Sequence, residues 1–131
     1  MIKLQEKETA QETFDFVVTK LREQGIGSTM TVGAETICSY GEPGGIRCAI
    51  GHLMGDNICS IQGGVRTLLR VGFIEQPSHI DLLIDIQSAH DSAAFLESNA
   101  FQLRCANNMI TVAQRHSLDA KLAVDWTYKA K

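Results

Sequence analysis

Most of what would identify a specialised protein is missing from this chain. No window comes near the roughly 18 apolar residues of a membrane-spanning helix. The opening residues Met-Ile-Lys-Leu-Gln-Glu-Lys-Glu contain no apolar core of a signal peptide. A location in the cytoplasm is therefore expected. There is no basic stripe: the formal net charge is −3, which excludes the electrostatic footprint of nucleic-acid binding and is too mild for an acidic DNA mimic. The cysteines at positions 38, 48, 59 and 105 form no CxxC pair, so reduced, buried thiols are expected rather than redox work. Internal repeats, low-complexity tracts, a Walker A loop and a dinucleotide-binding fingerprint are absent as well.

What is present is an ordinary globular composition. At 131 residues, 44% hydrophobic and 21% charged, the chain forms one domain (1–131) with enough apolar mass to bury a core. Thr9-Ala-Gln-Glu12 fits a capping box for a helix running to Gln24. Phe14, Val17, Val18 and Leu21 share its inner face, and Gly25 is placed to end it. Residues 26–35 read as a loop. Thr36 to Tyr40 and Ile46 to Cys48 flank Glu42-Pro43-Gly44-Gly45 and read as a β-hairpin that must lean on a helix. Ala49 to Met54 reads as a short helix closed by Gly55-Asp56, and Ile61 to Val71 as another, weakened by Gly63-Gly64. Ser78-His-Ile-Asp81 resembles a cap for a helix carrying Ile80, Leu83, Ile84 and Ile86 to His90-Asp91. A further helix is expected over Ser92 to His116 with Phe95, Leu96, Leu103, Met109 and Val112, then a terminal helix or docked tail from Leu118 to Trp126. The fold class is α+β, predominantly α, with about five helices and one short β-hairpin packed on them.

The least generic stretch is Gly41 to Asp56. Gly44 and Gly45 precede Arg47 and an expected helix start, so backbone amides and a guanidinium can meet an anion, with Tyr40, Cys48 and His52 beside them. A plain hairpin turn explains the same glycines. Cys48 also invites a nucleophile reading. A helix N-terminus lowers a thiol's pKa; His52, four residues on, or His90 supplies a base, and Asp91 or Asp56 orients the ring. Against it stands the common role of buried cysteine as a small packing residue. Cys38, Cys48, His52 and Cys59 are chemically suited to zinc, but their spacing of 9, 3 and 6 intervening residues lacks the usual close cysteine pair. Metal through His90-Asp91 needs further ligands, and His79 and His116 lie at expected helix ends. Helix capping explains His90-Asp91 more simply. No metal or cofactor is expected. Trp126 and Tyr128 either anchor an interface or fold back over a helix end.

Tyr40, Arg47-Cys48-Ala49-Ile50-Gly51-His52-Leu53 and the helix end His90-Asp91 together resemble a family of small uncharacterised proteins of tailed phages and their bacterial hosts. The likeness extends over roughly residues 10–116, its specific part being about ten residues. His52 stands where many relatives have a second cysteine, and Gly55-Asp56 replaces a Pro-Asp. The resemblance implies a phage or prophage accessory product in the bacterial cytoplasm, with no established activity to carry over. The function expected is binding of a host protein or a small nucleotide-like, anionic ligand in host takeover or anti-defence, with homo-oligomerisation left open. The alternative is a cysteine-dependent hydrolase or transferase using Cys48 with His90 or His52.

Overall fold

Thr9 starts the first helix as its sequence predicts. In the computed structural model, which describes residues 1–41, 45–57 and 63–130, its hydroxyl oxygen accepts the Glu12 amide at 3.1 Å. The helix, α1 (Ala10–Gln24), ends where Gly25 takes a left-handed φ of 72° and returns its amide to the Leu21 carbonyl. Phe14, Val17, Val18 and Leu21 are all buried, as the 3.6-residue periodicity requires.

A two-stranded antiparallel ribbon follows, β1 (Thr29–Val32) with β2 (Glu35–Cys38), pairing Thr29 with Cys38 and Val32 with Glu35. The strand expected over 36–40 thus pairs backward, into residues expected to be loop. Gly33 is the reason. It sits first in a two-residue turn with φ 63°, the arrangement that matches strand twist in a tight hairpin. The forward pairing shrinks to one bridge, Gly41 with Arg47, extended by the Cys48 amide donating to the Tyr40 carbonyl at 3.3 Å. Gly41 has φ 112°, and a Cβ there would collide with the Ile46 carbonyl oxygen, so only glycine permits this approach. Residues 42–44 of the expected turn lie outside the described residues.

The helix expected over Ala49 to Met54 is instead a pair of single 3₁₀ turns, Gly51–Leu53 and Gly55–Asn57. Two glycines within five positions are poor helix formers and favour short pieces. Next, α2 (Val65–Arg70) is shorter than expected, because Gly63 and Gly64 precede it rather than weaken its interior. The third long element, α3 (Ile80–Asp91), begins near the predicted place with a different cap. Ser78 does not cap it; the Glu6 carboxylate accepts the amides of Ser78 and His79 at 2.9 and 2.8 Å. Glu6 is held there by a short parallel bridge of Ile2 to Ile74.

The single helix expected from Ser92 to His116 is broken. Residues 92–97 turn, and α4 (Ser98–Arg115) starts only afterwards. Ala93 and Ala94 are buried where the Gly27 backbone crosses; a Cβ on Gly27 would lie 2.5 Å from Ala94 Cα. Phe95 is consequently turned out, 57% exposed, and Leu96 is exposed too. The inner stripe of α4 is Phe101, Cys105, Met109 and Val112. Finally, α5 (Lys121–Ala130) lays Trp126 into the core, edge-on to Phe101 at 6.5 Å, with its indole N–H donating to Gln102. Trp126 therefore closes a helix end and is no interface anchor. The result is α+β and predominantly helical, with α1, α3, α4 and α5 around one apolar core. Among the described residues, no helix is long and apolar enough to cross a membrane.

Candidate functional site

The core-facing stripe of α3 contains two polar interruptions. Leu83, Ile86, Gln87 and His90 fall at spacings of three, four and seven, one helix face. His90 is thereby drawn fully into the interior, its ring edge-on to Phe101 at 5.9 Å. Its Nε2 lies 3.0 Å from the Ser28 backbone nitrogen. An amide can only donate, so Nε2 must present its lone pair and the proton sits on Nδ1. Nδ1 in turn donates to Asp91 Oδ1 at 2.8 Å. The same carboxylate oxygen accepts from Gln87 Nε2 at 2.7 Å, and Gln87 Oε1 accepts the Ile50 amide at 2.9 Å. Cys38 donates its thiol to the Asp91 carbonyl at 3.8 Å. One continuous chain of hydrogen bonds thus runs from Ser28 through His90, Asp91 and Gln87 to Ile50.

This chain is a clamp. Ser28 and Cys38 stand at the root of the ribbon, where the Ser39 amide also donates to the Ser28 carbonyl. Ile50 belongs to the segment entering the first 3₁₀ turn. A two-stranded ribbon is marginal alone, and here it and the following segment are fastened to the C-terminal turn of α3. Each buried amide left unmatched costs about 1–3 kcal/mol, so satisfying Ser28 and Ile50 matters more than the bonds' net strength suggests.

Cys48, His90 and Asp91 do gather in this region, yet their reactive atoms are committed. Cys48 is fully buried, and its sulfur accepts the Gly51 amide at 3.3 Å. Burial pushes the thiol up to about 12, outweighing the lowering by the Gly51 amide, and the Asp91 charge adds to the rise. Such a thiol stays protonated near neutral pH and is a poor nucleophile. Cys38 is likewise pushed up to about 12 by burial and by Asp91, and Cys105 by burial. Neither ring nitrogen of His90 is free to take a thiol proton.

His52 is half-buried. Its Nε2 has no hydrogen-bond partner among the described residues, and burial first, then the Arg47 and Lys20 charges, lower its pKa to about 4. Arg47 is absorbed by the fold: one guanidinium nitrogen, Nη1, donates to the carbonyls of Gly51 at 3.2 Å and Gly55 at 2.8 Å, tying the two 3₁₀ turns together. The anion cradle expected from Arg47 is thus turned inward onto the chain's own oxygens. Tyr40 is buried, donates to the Gly63 carbonyl, and has its pKa raised by burial and by Cys48 and Asp91. A small cavity of about 120 Å³ lies between Cys38, Tyr40, Gln87 and Asp91. Gly45 is exposed at the mouth of a different groove, Asp56 is exposed, and Gly44 and Cys59 lie outside the described residues. Among the described residues no group of three His, Cys, Asp or Glu side chains could hold a metal. His116 is paired instead with Asp85 at 2.7 Å.

Sequence reasoning missed Gln87, Ser28 and Gln24. Gln87 was recoverable: with His90 it breaks an otherwise apolar face, and it stands four residues before Asp91. Ser28 acts through its backbone and leaves no mark in the sequence. Gln24 grips Arg47 by both peptide groups, Oε1 accepting its amide at 2.9 Å and Nε2 donating to its carbonyl at 2.8 Å.

Gln24 Nε2 also donates to the Ile26 carbonyl at 2.7 Å, bringing 26 and 47 side by side at the ribbon's root. Ile26 and Ile46 are 42% and 45% exposed there and, with Met30, Ser39 and Gly45, line a groove of about 350 Å³. The Ala94 backbone packs on Gly27 of this lining, and the next residue, Phe95, is exposed.

Compared with protein-family models, curated proteins and solved structures, the chain matches none.

Proposed function

We propose that this chain is a non-enzymatic accessory protein that works by binding another protein, its contact surface being the apolar rim at the root of the ribbon. The observation that carries the reading is the pairing of Ile26 and Ile46, two large side chains turned to solvent around one groove, with exposed Phe95 next in sequence to Ala94, whose backbone meets Gly27 of the lining. Exposed apolar residues scattered singly need no explanation, whereas a contiguous group beside a groove is the usual mark of an interaction site. The clamp below it supports the same reading, because a rigidly held surface loses less entropy on binding. Of the two ligand classes expected from the sequence, a protein fits this apolar rim better than a small anion, since one guanidinium nitrogen of Arg47 is already engaged by backbone carbonyls. The phage or prophage origin and a host-directed role rest on the ten-residue resemblance, and a bacterial host protein is the partner it suggests.

A photo-crosslinking amino acid at Ile46, in protein added to bacterial lysate, tests this. One dominant adduct is expected, absent when the crosslinker replaces exposed Asn107 on α4 and lost when Phe95→Ser is introduced. Equal labelling from both positions overturns the proposal.

A further inference from the structure

The two edges of the ribbon are treated differently. On the β2 side, Gly41 bridges Arg47 and the Cys48 amide donates to the Tyr40 carbonyl, so the returning chain already lies alongside its base. β1 has β2 on one side and, among the described residues, no strand on the other. The register fixes which of its peptide groups point that way. The Ser39 amide donates to the Ser28 carbonyl at 3.1 Å, and antiparallel pairs alternate between bonded and non-bonded, so Thr29 opposite Cys38 and Thr31 opposite Thr36 are the non-bonded pairs. The amides and carbonyls of Thr29 and Thr31 therefore aim away from β2, and no hydrogen bond reaches them from the described residues. Both threonines are exposed. The edge Thr29-Met30-Thr31-Val32 has no lysine, no proline and no bulge, the devices that close such an edge to other strands.

We propose that the protein bound at the rim contributes an extended segment that adds to β1 as a third strand. This rests on the reading of the rim as a contact surface and names the form of what it takes. The outward groups of Thr29 and Thr31 are two donors and two acceptors, two residues apart. An extended backbone answers that array, group for group. A helix cannot, because its own peptide groups are satisfied internally. The edge is continuous with the rim: Ser28, Met30 and Ser39 share one face of the ribbon by their alternation, and all three line the groove with Ile26 and Ile46. Successive side chains of the added strand fall on opposite faces. Those on the groove side sit against Met30 and are apolar; those on the other side lie beside Thr31 and are uncharged and polar.

The test places the photo-crosslinking amino acid at Thr29 and, separately, at Thr31 of the full-length chain in bacterial lysate, and maps the captured residues by peptide sequencing. Strand addition predicts adducts with the same protein that position 46 captures. It also predicts captured residues two positions apart in that protein's sequence, the spacing of neighbours on one face of a strand. Thr31→Pro deletes an outward amide without costing the ribbon a ladder bond, and lowers the yield from position 29 by about tenfold or more. Thr31→Val keeps the amide and leaves the yield within about twofold. Exchange protection of the Ser39 amide checks that the ribbon stays formed in Thr31→Pro; if it does not, the spacing of the captured residues decides. Captured residues three or four apart, an adduct of two copies of this chain, no adduct from 29 or 31, or a yield indifferent to Thr31→Pro in a formed ribbon overturns the third strand and leaves the rim reading standing. Loss of the adduct from position 46 overturns the rim reading, and this inference with it.

Discussion

The helical bundle and the ribbon are held by opposite means. The bundle is secured by apolar burial, with Phe14, Leu21, Phe101 and Trp126 among its largest enclosed side chains. The ribbon is secured by hydrogen bonds from single atoms: His90 to Ser28, Gln87 to Ile50, Gln24 to Arg47. Burial is distributed over many contacts, so a loss is graded. A clamp of few bonds fails at a point. One protein therefore contains a region that tolerates rearrangement and a region that depends on particular atoms.

The sharpest way to break the comparison is to cut each region once. Trp126→Ala in the bundle should cost about 3–5 kcal/mol, read by urea unfolding, with the native ribbon intact below the transition. His90→Ala should cost less, about 2–3 kcal/mol, for the cavity and the orphaned Ser28 amide. Its signature is local: amide exchange at Ser39 should accelerate while α1 stays protected. If exchange accelerates everywhere alike, the ribbon is not a separately fastened unit. Gln87→Leu, which keeps volume but strips the Ile50 acceptor, should cost about 1–3 kcal/mol.

Acid offers a finer cut. His52 has its pKa lowered to about 4 in the folded chain against an ordinary 6.5, so the unfolded chain takes up the proton first. The neutral ring's contribution is complete above pH 6.5 and is lost as pH falls from 6.5 towards 4. His52→Gln should flatten that part of the stability–pH curve; an unchanged slope would assign the acid sensitivity elsewhere. Smallest of all, Phe95→Ser should leave stability within about 0.5 kcal/mol while abolishing the crosslink from position 46.

The same contrast explains what the sequence disclosed. Helix α1 was readable down to its caps, because Thr9, Glu12 and Gly25 act on their own neighbours and the apolar period is local. The ribbon was not placed correctly, because two turn signals competed: Pro43-Gly44-Gly45 looked the stronger, yet Gly33 lies between two alternating runs, Thr-Met-Thr-Val and Glu-Thr-Ile-Cys. The cap on α3 comes from Glu6, more than seventy residues away, beyond any window-based reading. Phe95 looked like a core residue until the crossing of Gly27 over Ala94 forced the chain to turn. At the candidate site, Cys48, His52, His90 and Asp91 stand out in the sequence; the structure joins His90 to Asp91 by a hydrogen bond, while the Cys48 sulfur is bonded to the Gly51 amide. Their meaning turned on donors and acceptors from distant backbone that carry no residue signature.

Gln24 deserves its own reckoning. By answering both peptide groups of Arg47, a single primary amide does what a third strand would do, and the ribbon needs no further neighbour on that side. A replacement by Glu keeps the acceptor but forfeits the donor, so the Arg47 and Ile26 carbonyls lose together the one amide that ties arm to body.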